Sequence, residues 1–149
     1  MRRQHIDVQV HTQADAGTVY ALLRDGASWP TWSPIDSFEL ERTGAQETEG
    51  IGAIRIYVRG RVRGRDEIAE LVPDRRFGYR HLSGMPVSGY RGEVDLQPDD
   101  RGTGIRWRTS FLPRHAGTGP LLRWGIERFI RKCARGLAAH AATLSAPHR

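Results

Sequence analysis

His81 is the residue whose type and spacing best suit it to chemistry. It follows Phe77 and Tyr79 at intervals of two residues, so in a β-strand the three side chains point to one face of the sheet. If that face is the inner one, the imidazole can hydrogen-bond a ligand carbonyl or transfer a proton. The alternative is a structural histidine, satisfied in the core or half in water at the strand end. His81 is therefore the candidate catalytic residue, and the sequence leaves both roles open.

The other reactive residue types form no set that a known mechanism requires. The 6 histidines are never spaced as two ligands on one helix face or strand face, and no carboxylate cluster accompanies them, so no metal site is predicted. No glycine-rich loop follows a strand and opens a helix, so a nucleotide cofactor is not indicated. Cys133 lies on the apolar side of a predicted helix and is expected to be a small packing residue. We expect no cofactor and no covalent catalysis.

Several aromatic residues with one polar atom occur in phase with aliphatic residues on predicted strands. Tyr79, Tyr90 and Trp107 share strand faces with residues such as Val94 and Ile105. An apolar body with a single polar group is suited to the wall of a ligand cavity. The same side chains could equally be plain core, and the sequence does not decide between the two.

These residues lie on predicted strands that alternate apolar and polar side chains. The first, His5 to Thr12, directs Ile6 and Val8 to one face. Turn residues separate further strands at Ser37 to Arg42, Gly52 to Val58, Arg63 to Val72, Arg76 to Ser83, Tyr90 to Gln97 and Gly104 to Phe111. On the second of these, Ile56 is expected to face inward because it alternates with arginine and tyrosine. The pattern predicts an antiparallel sheet of about seven strands with one apolar face.

Two short helices are predicted directly after the first strand. Asp15 is a suitable N-cap for a helix that runs to Leu23 and ends before the Asp-Gly pair at residues 25–26. In the connector Trp-Pro-Thr-Trp-Ser-Pro at residues 29–34, two prolines allow only one short helical turn. Its indoles, Trp29 and Trp32, either anchor the connector to the core or border a cavity, because their large area is costly to leave in water.

One long amphipathic helix is predicted from Gly117 to Leu144. Its apolar stripe comprises Leu122, Ile126, Phe129, Ile130, Cys133, Ala134, Leu137, Ala141 and Leu144. A curved sheet that holds a single straight helix leaves space between the two layers, and this space is the candidate binding pocket. The residues assigned to it are Trp32, Ile56, Tyr79, His81, Tyr90, Trp107, Leu122, Ile126, Phe129 and Cys133.

Length and composition indicate one domain, residues 1–149, with a single hydrophobic core. The chain has 1 cysteine, no apolar run of bilayer length and no signal-peptide pattern, so we expect a cytoplasmic protein without a transmembrane segment. The net charge is +6, but the arginines are spread along the chain. In the basic run from Arg59 to Arg65 no aromatic residues are interleaved for base stacking. A solvated hairpin is therefore expected there, and no specific nucleic-acid binding.

The element order and several motifs resemble the START-like (SRPBCC) superfamily, in its group of polyketide cyclases/dehydrases and lipid-transfer proteins. The motifs are the strand-helix opening, the tryptophan-proline connector, the turn at Glu70 to Arg80, the strand at Gly102 to Trp107, and the long helix with Gly125 and Gly136. The resemblance implies an α+β helix-grip fold, in which a curved antiparallel sheet wraps around the C-terminal helix. It also implies that a lipid, a polyketide or another hydrophobic molecule binds between sheet and helix.

Three functional classes are compatible with these observations. The leading hypothesis is a binding or carrier protein for a small hydrophobic or aromatic ligand, since an apolar inner face without a convergent catalytic set suffices for binding. The rival is a polyketide cyclase, aromatase or dehydratase that uses the same cavity, with His81, Tyr79 and Tyr90 supplying acid and base. An interaction protein that docks a partner or an anionic lipid surface ranks third. A monomer or a homodimer is expected.

Overall fold

A curved antiparallel sheet and a long C-terminal helix make up most of the computed structural model, which describes residues 2–145. Its strands are β1 (Gln4–Thr12), β2 (Ser37–Arg42), β3 (Ile54–Arg59), β4 (Val62–Val72), β5 (Arg76–Ser83), β6 (Val87–Asp99) and β7 (Gly102–Pro113). Its α-helices are α1 (Ala16–Arg24), α2 (Trp29–Trp32) and α3 (Gly119–Ser145), and a 3-10 turn precedes α2. The predicted helix-grip fold, with two short helices after the first strand, is confirmed. Within the described residues, no helix is long and apolar enough to cross a membrane.

The sheet follows the chain order except at β1, which lies beside the last strand. The order is β1-β7-β6-β5-β4-β3-β2, and all neighbouring strands are antiparallel. Val8 of β1 lies opposite Trp107 of β7. Buried Ile6 and Val8 alternate with exposed neighbours, as the sequence predicts. This alternation turns the apolar face of the sheet toward α3.

The third strand differs from the sequence prediction in which side chains face α3. Arg55, Tyr57 and Arg59 line the space beneath the helix. Ile54 and Ile56 are out of phase with them and point to the opposite face, where they are also buried. The alternation alone suggests the reverse arrangement, because arginine and tyrosine usually occupy the solvated face. The inward orientation expected of Ile56 is therefore wrong.

The end of α1 explains why an arginine faces inward. The helix begins at its predicted N-cap, where the side chain of Asp15 accepts a hydrogen bond from the backbone N–H of Thr18 at 2.8 Å. At the other end, the guanidinium of Arg55 donates to the carbonyl oxygen of Leu23 at 2.9 Å and lies 3.0 Å from a carboxylate oxygen of Glu49. Carbonyl groups at a helix C-terminus lack intrahelical donors. Arg55 supplies one, and the ion pair with Glu49 compensates its burial.

The C-terminal half of α3 packs closely on the rest of the protein. Ala134, Ala138 and Ala141 are buried there, and their small side chains allow the helix to approach β1 and α2. The closest approach is at Gly136, where an added Cβ atom would lie 1.7 Å from the carbonyl oxygen of Trp32. Only glycine fits at this position.

The two ends of α3 are less buried than its middle. In the N-terminal half, Leu122 and Phe129 are partly buried, whereas Leu121 and Trp124 are exposed. At the C-terminal end Leu144, which the sequence places on the buried stripe, is 54% exposed. The stripe ends at Ala141 because the last turn of α3 runs past the surface on which the helix packs.

Two glycines of α3 provide a matched test of this packing. Gly136→Ala should lower the free energy of unfolding by about 1–3 kcal/mol, because the methyl group overlaps the backbone of α2. Gly125→Ala should instead raise it by up to about 1 kcal/mol, since no atom lies within 4 Å of the new Cβ and alanine favours the helix. Urea unfolding of the two variants measures both effects. Equal changes in both would contradict the close approach at Gly136.

Candidate functional site

A cavity of about 300 Å³ lies between the N-terminal half of α3 and the concave face of the sheet. Side chains from α2, α3 and strands β3 to β7 form its wall. Most of this wall is apolar, and aromatic side chains provide much of it: Trp29, Tyr57, Phe77, Tyr79, Tyr90, Trp107 and Phe129. Small-molecule sites in proteins have volumes of about 300–1,000 Å³. The cavity is therefore large enough for a small ligand.

Trp29 is at the centre of the aromatic cluster. Its ring centroid lies 5.0 Å from that of Tyr57 and 5.8 Å from that of Trp107, which it meets edge to face. Its indole N–H donates to the carbonyl oxygen of Leu23 at 3.2 Å, which fixes the orientation of the ring. The sequence allows Trp29 either to anchor the connector or to border a cavity, and in the structure its ring borders the cavity.

Most of the residues assigned to the pocket from sequence do line the cavity. They come from β5, β6, β7 and α3: Tyr79, His81, Tyr90, Trp107, Leu122, Ile126 and Phe129. The strand members share the inward face that the period-two pattern predicts, and the helix members lie on successive turns of the apolar stripe. Their placement follows from local periodicity alone.

Trp32, Ile56 and Cys133 lie outside the cavity wall. Trp32 is buried, and its indole N–H donates to the hydroxyl of Ser28 at 3.0 Å, so it anchors the connector. Ile56 lies on the opposite face of β3. Cys133 is fully buried in the core, where burial raises the pKa of its thiol. It is thus a neutral packing residue, in agreement with the interpretation of the sequence.

The cavity wall also includes residues that were not assigned to the pocket from the sequence, among them Arg55, Tyr57 and Asp66. Asp66 comes two residues before Ile68 on β4, and this spacing gives both side chains the same face. This spacing would have placed Asp66 on the inner face of the sheet from the sequence alone. No comparable signal exists for Arg55, because its burial depends on partners that are distant in the sequence.

His81 and Asp66 form a hydrogen-bonded pair on the cavity wall. Nδ1 of His81 lies 2.8 Å from Oδ1 of Asp66, and the backbone N–H of Met85 donates to Nε2 at 3.2 Å. Because Nε2 accepts this bond, the neutral ring carries its proton on Nδ1 and donates it to Asp66. Both ring nitrogens are engaged within the protein. This geometry is that of the structural histidine, the second of the two roles that the sequence allows.

A second buried hydrogen bond fixes two aromatic residues beside this pair. The indole N–H of Trp107 donates to the hydroxyl oxygen of Tyr79 at 3.0 Å. The ring of Tyr79 lies directly over Gly92 on the neighbouring strand, where an added Cβ would come within 2.2 Å of it. Gly92 thus makes room for the phenol.

The electrostatics of the cavity keep its phenols neutral. Burial raises the pKa of Tyr57, Tyr79 and Tyr90 above the usual tyrosine value, and the negative charge of Asp66 raises it further. Neutral phenols can donate and accept hydrogen bonds but cannot act as bases at ordinary pH. The cavity therefore presents an aromatic wall with a few fixed polar atoms.

These features define a helix-grip protein with an apolar cavity between its sheet and α3. A family model described as polyketide cyclase / dehydrase and lipid transport matches residues 3–142. The chain belongs to this family, in agreement with the resemblance seen in its sequence. A search of curated protein sequences gave no match.

Solved structures share the fold at low sequence identity. The Zhui aromatase/cyclase from Streptomyces sp. R1128 is 20% identical, with a TM-score of 0.75 over 94% of this chain and 94% of that chain. A START superfamily protein from Mycobacterium smegmatis is 13% identical, with a TM-score of 0.79 over 94% of this chain and 98% of that one. The major latex-like protein 151 from Panax ginseng is 14% identical, with a TM-score of 0.75 over 97% and 99%. These similarities establish the fold and leave the ligand open.

The buried phenols predict a loss of stability at alkaline pH. A tyrosine in the unfolded chain ionises near pH 10, whereas the folded protein retains its protons because burial raises the pKa. The stability is therefore complete below about pH 10 and falls as the pH rises toward the folded pKa, by up to about 1.4 kcal/mol per pH unit for each phenol. Urea unfolding from about pH 9 to about pH 11 measures this slope. The slope should be shallower in Tyr90→Phe, and an unchanged slope would contradict the burial of this phenol.

Proposed function

We propose that this protein binds and carries a small hydrophobic ligand in the cavity between the sheet and α3. The observation that carries the proposal is the apolar, largely aromatic space of about 300 Å³ between these two layers. Burial of a ligand in such a space is favourable because apolar area leaves water. No atom of the protein has to react for this function.

The walls favour a compact ligand with an aromatic or otherwise flat framework. Rings of Trp29, Tyr90 and Trp107 border the space, and ring faces and edges give specific contacts to a flat ligand. The volume is at the lower end of the range for small-molecule sites, which favours a small ring system over a long two-chain lipid. The phenol hydroxyls of Tyr79 and Tyr90 can orient a ligand that has one polar group.

We also propose a cytoplasmic location. A cytoplasmic location agrees with the one cysteine, Cys133, which is buried as a free thiol. We expect a monomer or a homodimer. We expect no specific nucleic-acid partner, because arginines on the sheet are largely paired with carboxylates. Arg65 with Glu41 at 2.7 Å is one such pair.

A polyketide cyclase, aromatase or dehydratase activity in the same cavity is the second candidate. Asp66 favours it, because one carboxylate oxygen binds His81 and the other is free to accept a proton or a hydrogen bond from a ligand. In that case Asp66 is the group that meets the substrate, and His81 orients it. Tyr79 would donate to a developing oxyanion.

Probe binding tests the carrier proposal. N-phenyl-1-naphthylamine, a neutral apolar probe, should enter the cavity and change the fluorescence of Trp29 and Trp107. Phe129→Ala should weaken its binding about 5- to 150-fold, because the removed side chain contributes about 1–3 kcal/mol to the free energy of binding. Leu144→Ala, an exposed position on the same helix, is the matched control and should bind as the wild type does. Equal affinities for the three proteins would place the probe elsewhere and contradict the proposal.

Turnover separates the carrier from the enzyme. If the protein only binds, Asp66→Asn and His81→Gln should alter probe affinity modestly, and a polyketide-like chain should be converted no faster than in buffer. If it is an enzyme, Asp66→Asn should lower turnover by about 10²- to 10⁴-fold while affinity is nearly preserved. Such a loss in Asp66→Asn, from a wild-type protein that turns substrate over, would replace the carrier proposal.

A further inference from the structure

The opening of the cavity is bordered by exposed apolar side chains on two separate elements. Val62, at the tip of the β3–β4 hairpin, is 48% exposed, and Leu121, in the first turns of α3, is 71% exposed. Both also line the cavity, so they stand at its mouth. Trp124, one turn further along α3, is 61% exposed. Large apolar groups concentrated at one place on a surface indicate an interaction site.

Basic side chains without carboxylate partners surround these apolar groups. Arg59 and Arg61 lie on the same hairpin as Val62, and Arg128 stacks on the ring of Trp124 at 5.8 Å. Among residues 2–145, none of the three arginines forms an ion pair. On the outer face of the sheet, by contrast, arginines pair closely, as Arg106 does with Asp7 at 2.6 Å. These three arginines therefore form a cluster of uncompensated positive charge beside the mouth.

We propose that this mouth surface, formed by Arg59, Arg61, Val62, Leu121, Trp124 and Arg128, docks on an anionic membrane. The inference rests on the proposed carrier function, because an apolar ligand that leaves the cavity directly into a lipid phase avoids water. Arginine and tryptophan suit this role: the guanidinium attracts lipid headgroups, and the indole settles at the boundary of the acyl chains. The net charge of +6 favours the approach to a negative surface.

A membrane fits these observations better than an acidic protein. The apolar side chains come from a hairpin tip and a helix at the rim of an opening, with basic side chains beside them. A fluid lipid surface accommodates such separate side chains. Each arginine near an anionic membrane is expected to strengthen binding about fivefold.

Trp124 is a specific optical reporter for this docking. The other tryptophans, Trp29, Trp32 and Trp107, are only 4%, 6% and 1% exposed. Acrylamide quenching of the intact protein therefore reports mainly on Trp124. Vesicles of phosphatidylcholine with about one third phosphatidylserine should shift its emission to the blue and protect it from the quencher, whereas phosphatidylcholine alone should do neither.

Variants distant from the cavity wall identify the surface. Arg61→Ser combined with Arg128→Ser should weaken binding to the anionic vesicles about 25-fold, and sedimentation with the vesicles measures this change. Arg75→Ser and Leu144→Ser are the controls, since Arg75 is exposed in the turn that follows β4 and Leu144 is exposed in the last turn of α3, both distant from the mouth. Both controls should bind vesicles as the wild type does.

Other outcomes would overturn the inference. Equal losses in the control and mouth variants would show that binding is unspecific. Protection of Trp124 by soluble polyglutamate but not by vesicles would assign the surface to an acidic protein. Protection that grows with protein concentration alone would assign it to a second copy of the chain. N-phenyl-1-naphthylamine binding, measured in parallel, keeps the two proposals apart: a protein that binds the probe but no vesicles refutes only the membrane docking.

Discussion

The close approach of α3 to α2 at Gly136 is the constraint on which the rest of the structure depends. There the helix backbone meets the carbonyl of Trp32 with no room for a Cβ atom, and buried alanines extend the contact along the C-terminal half. The sheet curves away beneath the N-terminal half, where the side chains facing it are large. The helix therefore packs closely along its C-terminal half and lies farther from the sheet along its N-terminal half. The cavity is the space that remains.

Polar groups keep this space from collapsing. Arg55 links β3 to the end of α1, Asp66 and His81 join two neighbouring strands, and Trp107 is bonded to Tyr79. Each pair satisfies hydrogen-bonding groups whose burial would otherwise be costly, and each fixes an orientation of a side chain on the cavity wall. The wall is therefore shaped before a ligand arrives, which reduces the entropy lost on binding.

Much of the fold could be predicted from the sequence because it follows from local patterns. The alternation in β1, the N-cap at Asp15 and the apolar stripe of α3 each depend on residues close together in the chain. The inward face of β5, with Phe77, Tyr79 and His81, was predictable for the same reason.

The rest depends on contacts between distant residues. The phase of β3 is reversed because Arg55 finds its partners in α1 and the β2–β3 connection. Asp66 lies opposite His81 because the β4–β5 pairing shifts register between Ile68 and Glu70, and no local sequence pattern reports such an irregularity. The two connector tryptophans likewise cannot be distinguished from the sequence, because only tertiary contacts direct Trp29 to the cavity and pack Trp32 beneath α3.

A crystal soaked with 1-bromonaphthalene tests most directly whether the cavity takes an apolar ligand. The anomalous scattering of bromine locates the molecule without assumptions about its pose. We expect a bromine peak between α3 and the sheet, in contact with Trp107, Tyr90 or Phe129. An empty cavity at saturating probe, or bromine peaks confined to the outer surface, would contradict it.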